Sequence, residues 1–265
     1  MTPPEPQPLA AETAPPPSQK CHPVNVRAAI GHLTERGADW LEAARADVAV
    51  RPEALAQHFP AVSRRCGRAA LDEADHQGLC CGCIDDAARA VLMGALALRG
   101  ADRTELLGDL YRHGDAGEKR GVLRGLALLD EPTGPEPTGA APRGIGPALL
   151  PLIHDALRTN DIRLIAAAVQ GYGGRYLDAA AYRHAVVKCV FTGIPLAALP
   201  DLSRRQDPEL ARMLVDLAHE RSAANREIPA DIGVVVAAFP ESLNRSDLPA
   251  HLLMALLPAA PIYKE

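Results

Sequence analysis

A short stretch of the chain carries four residues of the types that bind zinc: His76, Cys80, Cys81 and Cys83. Thiolate sulfur and imidazole nitrogen are the usual ligands of structural zinc, but such sites draw their ligands from two separated pairs, commonly C-x2-C. Here the residues crowd into one segment, and a turn of small residues before a helix is the alternative. Cys66 and Cys189 would complete a site only if the fold brought them near. We therefore expect no bound metal and no cofactor.

Lys188 lies in a segment that is apolar on both sides, AVVKCVF. A buried ammonium without a partner is strongly unfavourable, so we expect Lys188 to be hydrogen-bonded to a neighbouring helix and not free in solvent. The structural alternatives are a side chain that snorkels to the surface and an ion pair with a carboxylate of an adjacent helix. His184 precedes it by one helical turn and shares its side of the helix. The functional alternative is a pocket in which Lys188 holds an anionic ligand.

Arginine precedes aspartate as Arg-x-x-Asp in three places, and successive copies are 46 residues apart. The three pairs are Arg112 with Asp115, Arg158 with Asp161, and Arg204 with Asp207. A period of about 40–47 residues is typical of HEAT-like helical hairpins. In this interpretation each Asp caps the second helix of a hairpin and each Arg lies at the end of the first. Equal spacing by chance is the alternative.

These arginines either pair with acids of adjacent repeats or line a groove that suits phosphates and carboxylates. A single histidine on a helix, such as His219, usually has a structural role. The candidate ligand-binding residues are therefore Lys188, His184, Arg158, Arg204 and His219.

Helix signals along the chain define the elements that position these residues. Asp115 and Glu118 form a capping box, Asp85 or Asp86 precedes an apolar helical segment, and Asp102 precedes another. Further helices are predicted to begin near Asn25, to run from Pro52 to Pro60, and to occupy 148–158, 161–170, 179–192 and 208–223.

Residues 131–147 are rich in Pro and Gly and predict a loop. No segment shows the alternation of a β-strand over more than a few residues. The predicted fold class is all-α, with HEAT-like helical hairpins that form a solenoid or a compact helical bundle.

Composition excludes several classes of function. The net charge of −5 and the aromatic content of 3% disfavour nucleic-acid binding. Residues 1–23 lack the basic start and apolar run of a secretory signal and predict a disordered, Pro-rich leader. No apolar stretch is long enough for a membrane span. We therefore expect a cytoplasmic protein whose cysteines are thiols.

Common enzyme signatures are missing from the sequence: there is no P-loop, no G-x-S-x-G and no H-E-x-x-H. Asp85 and Asp86 form an acidic pair without the third acid of the DDxxD pattern that binds magnesium diphosphate in helical prenyl enzymes.

Three segments resemble the bacterial EboA family: RTNDIRLIAAAV, YLDAAAYRHAVVKCVFTGIPL and LSRRQDPELARMLVDLAHER. With LYRHGDAGEKRGVLRGL and FPAVSRRCGR, the resemblance extends over roughly 24–226. The stretch from His76 to Cys83 is not part of the family pattern. The resemblance carries over no catalytic residue.

The resemblance implies a cytoplasmic protein that acts with proteins of the same operon. These include a UbiA-like membrane prenyltransferase, a TatD-like hydrolase and a sugar-phosphate-cyclase-like enzyme. The implied role is moving or maturing a natural-product precursor toward the cell envelope.

The sequence thus predicts a helical domain at 24–227 between the leader at 1–23 and a helical extension at 228–265. The predicted function is a non-enzymatic adaptor or binding component of metabolite traffic, which binds operon partners and an anionic small metabolite. The alternative is a helical enzyme of small-molecule or prenyl metabolism, in which Lys188, His184 and a carboxylate would converge in a pocket.

Overall fold

The computed structural model describes residues 30–130 and 144–256, and all regular secondary structure in these ranges is helical. An isolated β-bridge joins Ala70 to Cys83. The prediction of an all-α fold is therefore confirmed for the described residues. The leader at 1–23, the expected helix start at Asn25 and most of the 131–147 loop lie outside them.

The α-helices, numbered in chain order, are α1 (Glu35–Val50), α2 (Ala54–His58), α3 (Val62–Cys66), α4 (Ile84–Gly94), α5 (Gly100–His113), α6 (Ala116–Leu129), α7 (Leu150–Arg158), α8 (Ile162–Val169), α9 (Tyr172–Tyr176), α10 (Ala179–Thr192), α11 (Leu202–Arg205), α12 (Pro208–Ala223), α13 (Ile232–Ala238) and α14 (Ala250–Leu256). Short 3-10 helices lie between them at Phe59–Ala61, Gly146–Leu149, Leu196–Ala198 and Pro240–Leu243.

The helices form a row in which α4, α6, α8, α10, α12 and α13 each pack on the next. Helix α5 packs on α6, and α7 packs on α8, so these two pairs form successive hairpins. One connected core of Leu, Ala, Val and Ile side chains runs through the row. Burial of this apolar surface is the main source of stability.

Two glycines allow α4 and α6 to approach closely. A Cβ at Gly121 would overlap Cδ of Arg89, and a Cβ at Gly125 would lie 2.8 Å from Sδ of Met93. Because Gly121 and Gly125 are four residues apart, both lie on the face of α6 that meets α4. The contact places the arginines next to them, Arg120 and Arg124, against the start of α4.

Aspartate caps confirm part of the predicted pattern. Asp115 and Glu118 form the expected capping box at the start of α6. Asp161 accepts hydrogen bonds from the first backbone N–H groups of α8, and Asp207 accepts one from Leu210 N–H in α12. The three aspartates of the Arg-x-x-Asp copies are thus all N-caps, which satisfy backbone donors that have no partner within the helix.

Several predicted boundaries were wrong. The N-cap of α4 is Cys83, not Asp85 or Asp86, because the first turn already begins at Ile84. Helix α5 starts before Asp102, at Gly100. Pro52 lies before α2.

Pro60 does not end the helical segment that begins with α2. A 3-10 turn at Phe59–Ala61 takes up Pro60, and α3 follows directly. Proline has no N–H to donate, and the first positions of a helical turn need none. At the end of the predicted 131–147 loop, a 3-10 helix already begins at Gly146.

The described part of the 228–265 extension consists of α13, a 3-10 helix and α14, which pack on α12. Among residues 30–130 and 144–256, no helix combines the length and the apolar character that a bilayer crossing requires.

Candidate functional site

A cluster of buried charges lies where α4 meets α6. Asp85, Asp86 and Arg89 belong to the first turns of α4, and each exposes at most 1% of its surface. Arg120 and Arg124 of α6 are 5% exposed. Three guanidinium groups and two carboxylates therefore share one desolvated region, and such charges are tolerated only when they are paired and hydrogen-bonded.

Both carboxylates of this buried charge cluster are fully engaged. Asp85 accepts hydrogen bonds from Ser63 Oγ at 2.8 Å, from Arg89 Nη1 at 2.9 Å and from Arg120 Nη2 at 3.2 Å. Asp86 accepts from Arg120 Nε at 2.7 and 2.9 Å and from the Cys83 N–H at 3.0 Å. The last bond ties the cluster to the start of α4.

Arg124 connects the cluster to the cysteine-bearing loop, residues 67–83. Its Nη2 donates to the carbonyl oxygens of Gly78 and Leu79, and its Nη1 donates to Gln170 Oε1. Gln170 Nε2 in turn donates to Leu79 O and Ala198 O. Burial lowers the pKa of Arg124, partly offset by Asp86. The loop is therefore held by side chains from two helical regions.

The same loop is also ordered from within. Asp75 accepts hydrogen bonds from the N–H groups of Leu79, Cys80 and Cys81. His76 is exposed, and Cys80 and Cys81 are half-buried. Within the described ranges, the metal-ligand types that converge are Cys83, Asp85 and Asp86, and this set does not include His76, Cys80 or Cys81. The four-residue zinc arrangement considered from the sequence is not assembled.

The convergent set of Cys83, Asp85 and Asp86 does not suit a cation either, because arginines already neutralise both carboxylates. Cys83 Sγ accepts a hydrogen bond from Arg163 Nη2 at 3.1 Å. Burial, followed by the charge of Asp86, raises the pKa of the Cys83 thiol and so favours its protonated form, which is not the metal-binding form. Chemically, the cluster is a clamp between α4, α6 and the loop.

The cluster is not evident from the residues around Asp85 and Asp86, which form an isolated acidic pair in the sequence. A signal was present in the segment KRGVLRGL of α6, where Arg-Gly occurs twice with a spacing of four. Residues four apart share one side of a helix, so this spacing places the two arginines on one stripe and the two glycines on the stripe beside it.

Lys188 belongs to α10, and its ammonium group reaches the C-terminal end of α7. Its Nζ donates to Leu157 O at 2.6 Å and to Thr159 O at 2.7 Å. These carbonyls have no partner within α7, and a cation is favourable at the negative end of a helix. The prediction that Lys188 is hydrogen-bonded to a neighbouring helix is therefore confirmed.

Arg158 is brought next to Lys188, since the two carbonyls that bind Lys188 flank it in sequence. His184 is exposed one turn before Lys188 on α10, with its ring Nδ1 2.9 Å from Ala180 O. His154, one turn before Arg158 on α7, is also exposed. Phe191, one turn after Lys188, is 61% exposed. We call these five residues the α7–α10 surface.

The other candidate ligand residues lie elsewhere. Arg204 forms an exposed ion pair with Asp201 at 2.7 Å. His219 Nδ1 is 4.0 Å from Asp247. Among the described residues, no hydrogen bond or ion pair links either of them to Lys188.

An open pocket of about 520 Å³ lies at the start of α12. It is lined by Arg183, Asp207, Pro208, Glu209, Arg212, Glu241, Ser242 and Arg245. The guanidinium groups are matched by carboxylates: Arg183 binds Asp207, and Arg212 binds Glu209. Its charges are therefore compensated within the protein.

Comparison with curated proteins and with solved structures gives no match. The family model described as "Metabolite traffic protein EboA" matches residues 27–237, from before α1 into α13, and thus spans the buried charge cluster and the α7–α10 surface. The chain therefore belongs to the EboA family of metabolite traffic proteins.

Proposed function

We propose that this chain is a non-enzymatic adaptor or binding component of a bacterial metabolite-traffic system that exports or matures a natural-product precursor. Family membership supports the metabolite-traffic role. The single observation that supports binding over catalysis is which partners the charged side chains have. The buried acids and arginines bond to one another, whereas on the α7–α10 surface Arg158 is exposed and Lys188 bonds only to main-chain carbonyl oxygens among the described residues.

The proposed scaffold is a HEAT-like array of hairpins in the cytoplasm. The hairpins α5–α6 and α7–α8 support it, since each second helix begins with an Asp cap at the equivalent position. The proposed partners are proteins of the same operon, with a UbiA-like membrane prenyltransferase among them. In this arrangement the chain would hold an anionic small metabolite while enzymes of the system act on it or pass it on.

The proposed ligand contacts are Lys188, His184 and Arg158. A helical enzyme would instead bring Lys188 and His184 to a carboxylate within hydrogen-bond reach. Lys188 Nζ donates to two main-chain carbonyl oxygens, and Nδ1 of the His184 ring lies 2.9 Å from Ala180 O. These contacts support binding and positioning over proton transfer.

Deletion of the gene in the native bacterial host tests this proposal. We expect the precursor to accumulate in the cell interior and its mature form to fall in the envelope fraction, as measured by mass spectrometry of the two fractions. The wild-type gene should restore the profile, and affinity purification of the chain should recover operon proteins together with the metabolite. An unchanged metabolite profile in the deletion strain would contradict the proposal, as would turnover of the precursor by the purified chain alone.

A further inference from the structure

The Arg-x-x-Asp copies are part of a longer motif in the sequence. An aspartate also stands three residues before each arginine, which gives Asp-x-x-Arg-x-x-Asp at 109–115, 155–161 and 201–207. In the first copy Arg112 pairs with Asp109, and in the third Arg204 pairs with Asp201. The preceding aspartate thus neutralises the arginine in both outer copies.

The middle copy is different because its aspartate has another partner. Asp155 Oδ2 accepts a hydrogen bond from Tyr111 Oη at 3.0 Å. Tyr111 is 2% exposed, and a buried phenol requires a hydrogen-bond partner. In the part of the chain that the structure describes, no ion pair or side-chain hydrogen bond engages the exposed Arg158.

A second cation, the ammonium group of Lys188, lies beside Arg158. Lys188 Nζ uses two of its three N–H donors on Leu157 O and Thr159 O, which leaves one donor beside Arg158. His154 and His184 flank the pair at one helical turn on either helix. The nearest acid along the chain after Arg158, Asp161, caps α8 by accepting the N–H groups of Arg163 and Leu164 on Oδ1, and among the described residues it forms no ion pair with Arg158.

We propose that the Arg158 guanidinium, together with the free Lys188 N–H, is the binding site for the oxyanion of a small metabolite, a carboxylate or phosphate group. This proposal rests on the proposed function and names its ligand chemistry. The oxyanion takes the position that an aspartate carboxylate holds against Arg112 and Arg204. Arginine binds both groups through parallel N–H donors.

The binding test uses the full-length chain with two probes, inorganic pyrophosphate and succinate, in calorimetric titrations at low ionic strength, where surface charge is least screened. We expect Arg158→Gln to weaken binding of at least one probe about tenfold or more, since hydrogen bonds between charged groups carry most of the affinity. The probe that loses more on substitution identifies the oxyanion. Arg112→Gln and Arg204→Gln are matched controls and should bind both probes as the wild type does.

Two further variants change the site without touching Arg158 or Lys188. Tyr111→Phe removes the phenol that holds Asp155, so Asp155 becomes free to pair with Arg158. Probe affinity should fall about two- to fivefold, the range of an exposed ion pair. Asp155→Asn keeps an oxygen acceptor for Tyr111 but removes the competing negative charge, so affinity should rise by a similar factor.

Opposite effects of Tyr111→Phe and Asp155→Asn, with far-UV circular dichroism unchanged, support the proposal. Binding of neither probe overturns it, and so does an equal loss in Arg158→Gln and Arg112→Gln. In either case an acidic segment of a partner protein is the remaining occupant of the α7–α10 surface. The metabolite profile of the deletion strain is a separate measurement, so failure of this site and failure of the traffic role are distinguishable.

Discussion

At the scale of single residues, the buried charge cluster concentrates ionised side chains in a region without solvent. It holds three arginines against two aspartates, and the desolvation of so many charges is offset only while each carboxylate keeps its donors. Asp86 is the least exposed member and joins Arg120, Arg124 and the start of α4.

Asp86→Ala should therefore destabilise the protein by about 3–5 kcal/mol, because it leaves Arg120 buried without its main partner. Urea unfolding followed by circular dichroism gives the free energy of unfolding. The control is Glu42→Ala, which removes an exposed ion pair with Arg45 and should change that energy by less than about 1 kcal/mol. Similar losses in the two variants would show that the cluster is not a structural clamp.

The sequence predicts the contacts of a single residue well when those contacts follow from its neighbours along the chain. The apolar flanks of Lys188 are adjacent in sequence, and its need for polar partners follows from them. The partners of Asp85 do not follow in this way, because Ser63 and Arg120 come from distant parts of the chain and meet Asp85 only through packing. The diversion of Asp155 to Tyr111 is likewise a tertiary contact that no local pattern encodes.

At the scale of elements, caps and helix crossings differ in how far the sequence determines them. Asp115, Asp161 and Asp207 are N-caps as predicted, since capping depends on residues within one turn. The crossing of α4 and α6 depends instead on which faces meet. The role of Gly121 and Gly125 in this close packing becomes clear only from the structure, where Arg89 and Met93 occupy the space that a side chain would need.

Gly121→Ala should destabilise the protein by about 1–3 kcal/mol, because a methyl group would overlap the buried Cβ, Cγ and Cδ atoms of Arg89 in α4. Gly125→Ala should cost less, because the atoms it meets, Sδ and Cε of Met93, are the end of a flexible side chain. Gly94→Ala is the control from the same pair of helices. A Cβ at Gly94 meets no atom within 4 Å, so this change should be neutral or stabilise by up to about 1 kcal/mol. Thermal unfolding of the three variants measures the difference, and equal melting temperatures would argue against close packing at this crossing.

Asp207 should make the stability of α12 depend on pH. Its hydrogen bond to Arg183, helped by the N–H of Leu210, lowers the pKa of Asp207 below the ordinary 3.8. The unfolded state then takes up a proton at a higher pH than the folded state does. The stabilisation is therefore complete above about pH 4 to 5 and is lost as the pH falls through the lowered pKa.

Asp207→Asn should remove this contribution while retaining a side chain that can cap α12. We expect the variant to be less stable than the wild type at pH 7 and to approach the wild type at pH 3. The measurement is the free energy of unfolding in urea at both pH values. A constant difference between the two proteins at pH 7 and pH 3 would contradict the assigned role of the carboxylate.

At the scale of the whole molecule, the apolar core continues beyond the family match. The match ends at residue 237, inside α13, whereas α14 lies further along the chain. Ile232, Val235 and Leu252 are fully buried, so α13 and α14 contribute to the same apolar core as the preceding helices. Arg245 adds polar contacts, since it bonds to Asp216 of α12 and to Asp247.

The C-terminal helices should therefore unfold together with the rest of the protein. Leu252→Ala removes a fully buried side chain and should cost about 2–5 kcal/mol, because the cavity in the core adds to the lost burial. Met254→Ala, two residues away on the same helix and 78% exposed, should change the stability by no more than about 0.5 kcal/mol. Calorimetry should show one transition that moves to lower temperature in Leu252→Ala, since the core is continuous from α12 to α14. A separate low-temperature transition in that variant, with the main transition unmoved, would mean that α14 is an appendage whose unfolding leaves the family-matched helices intact.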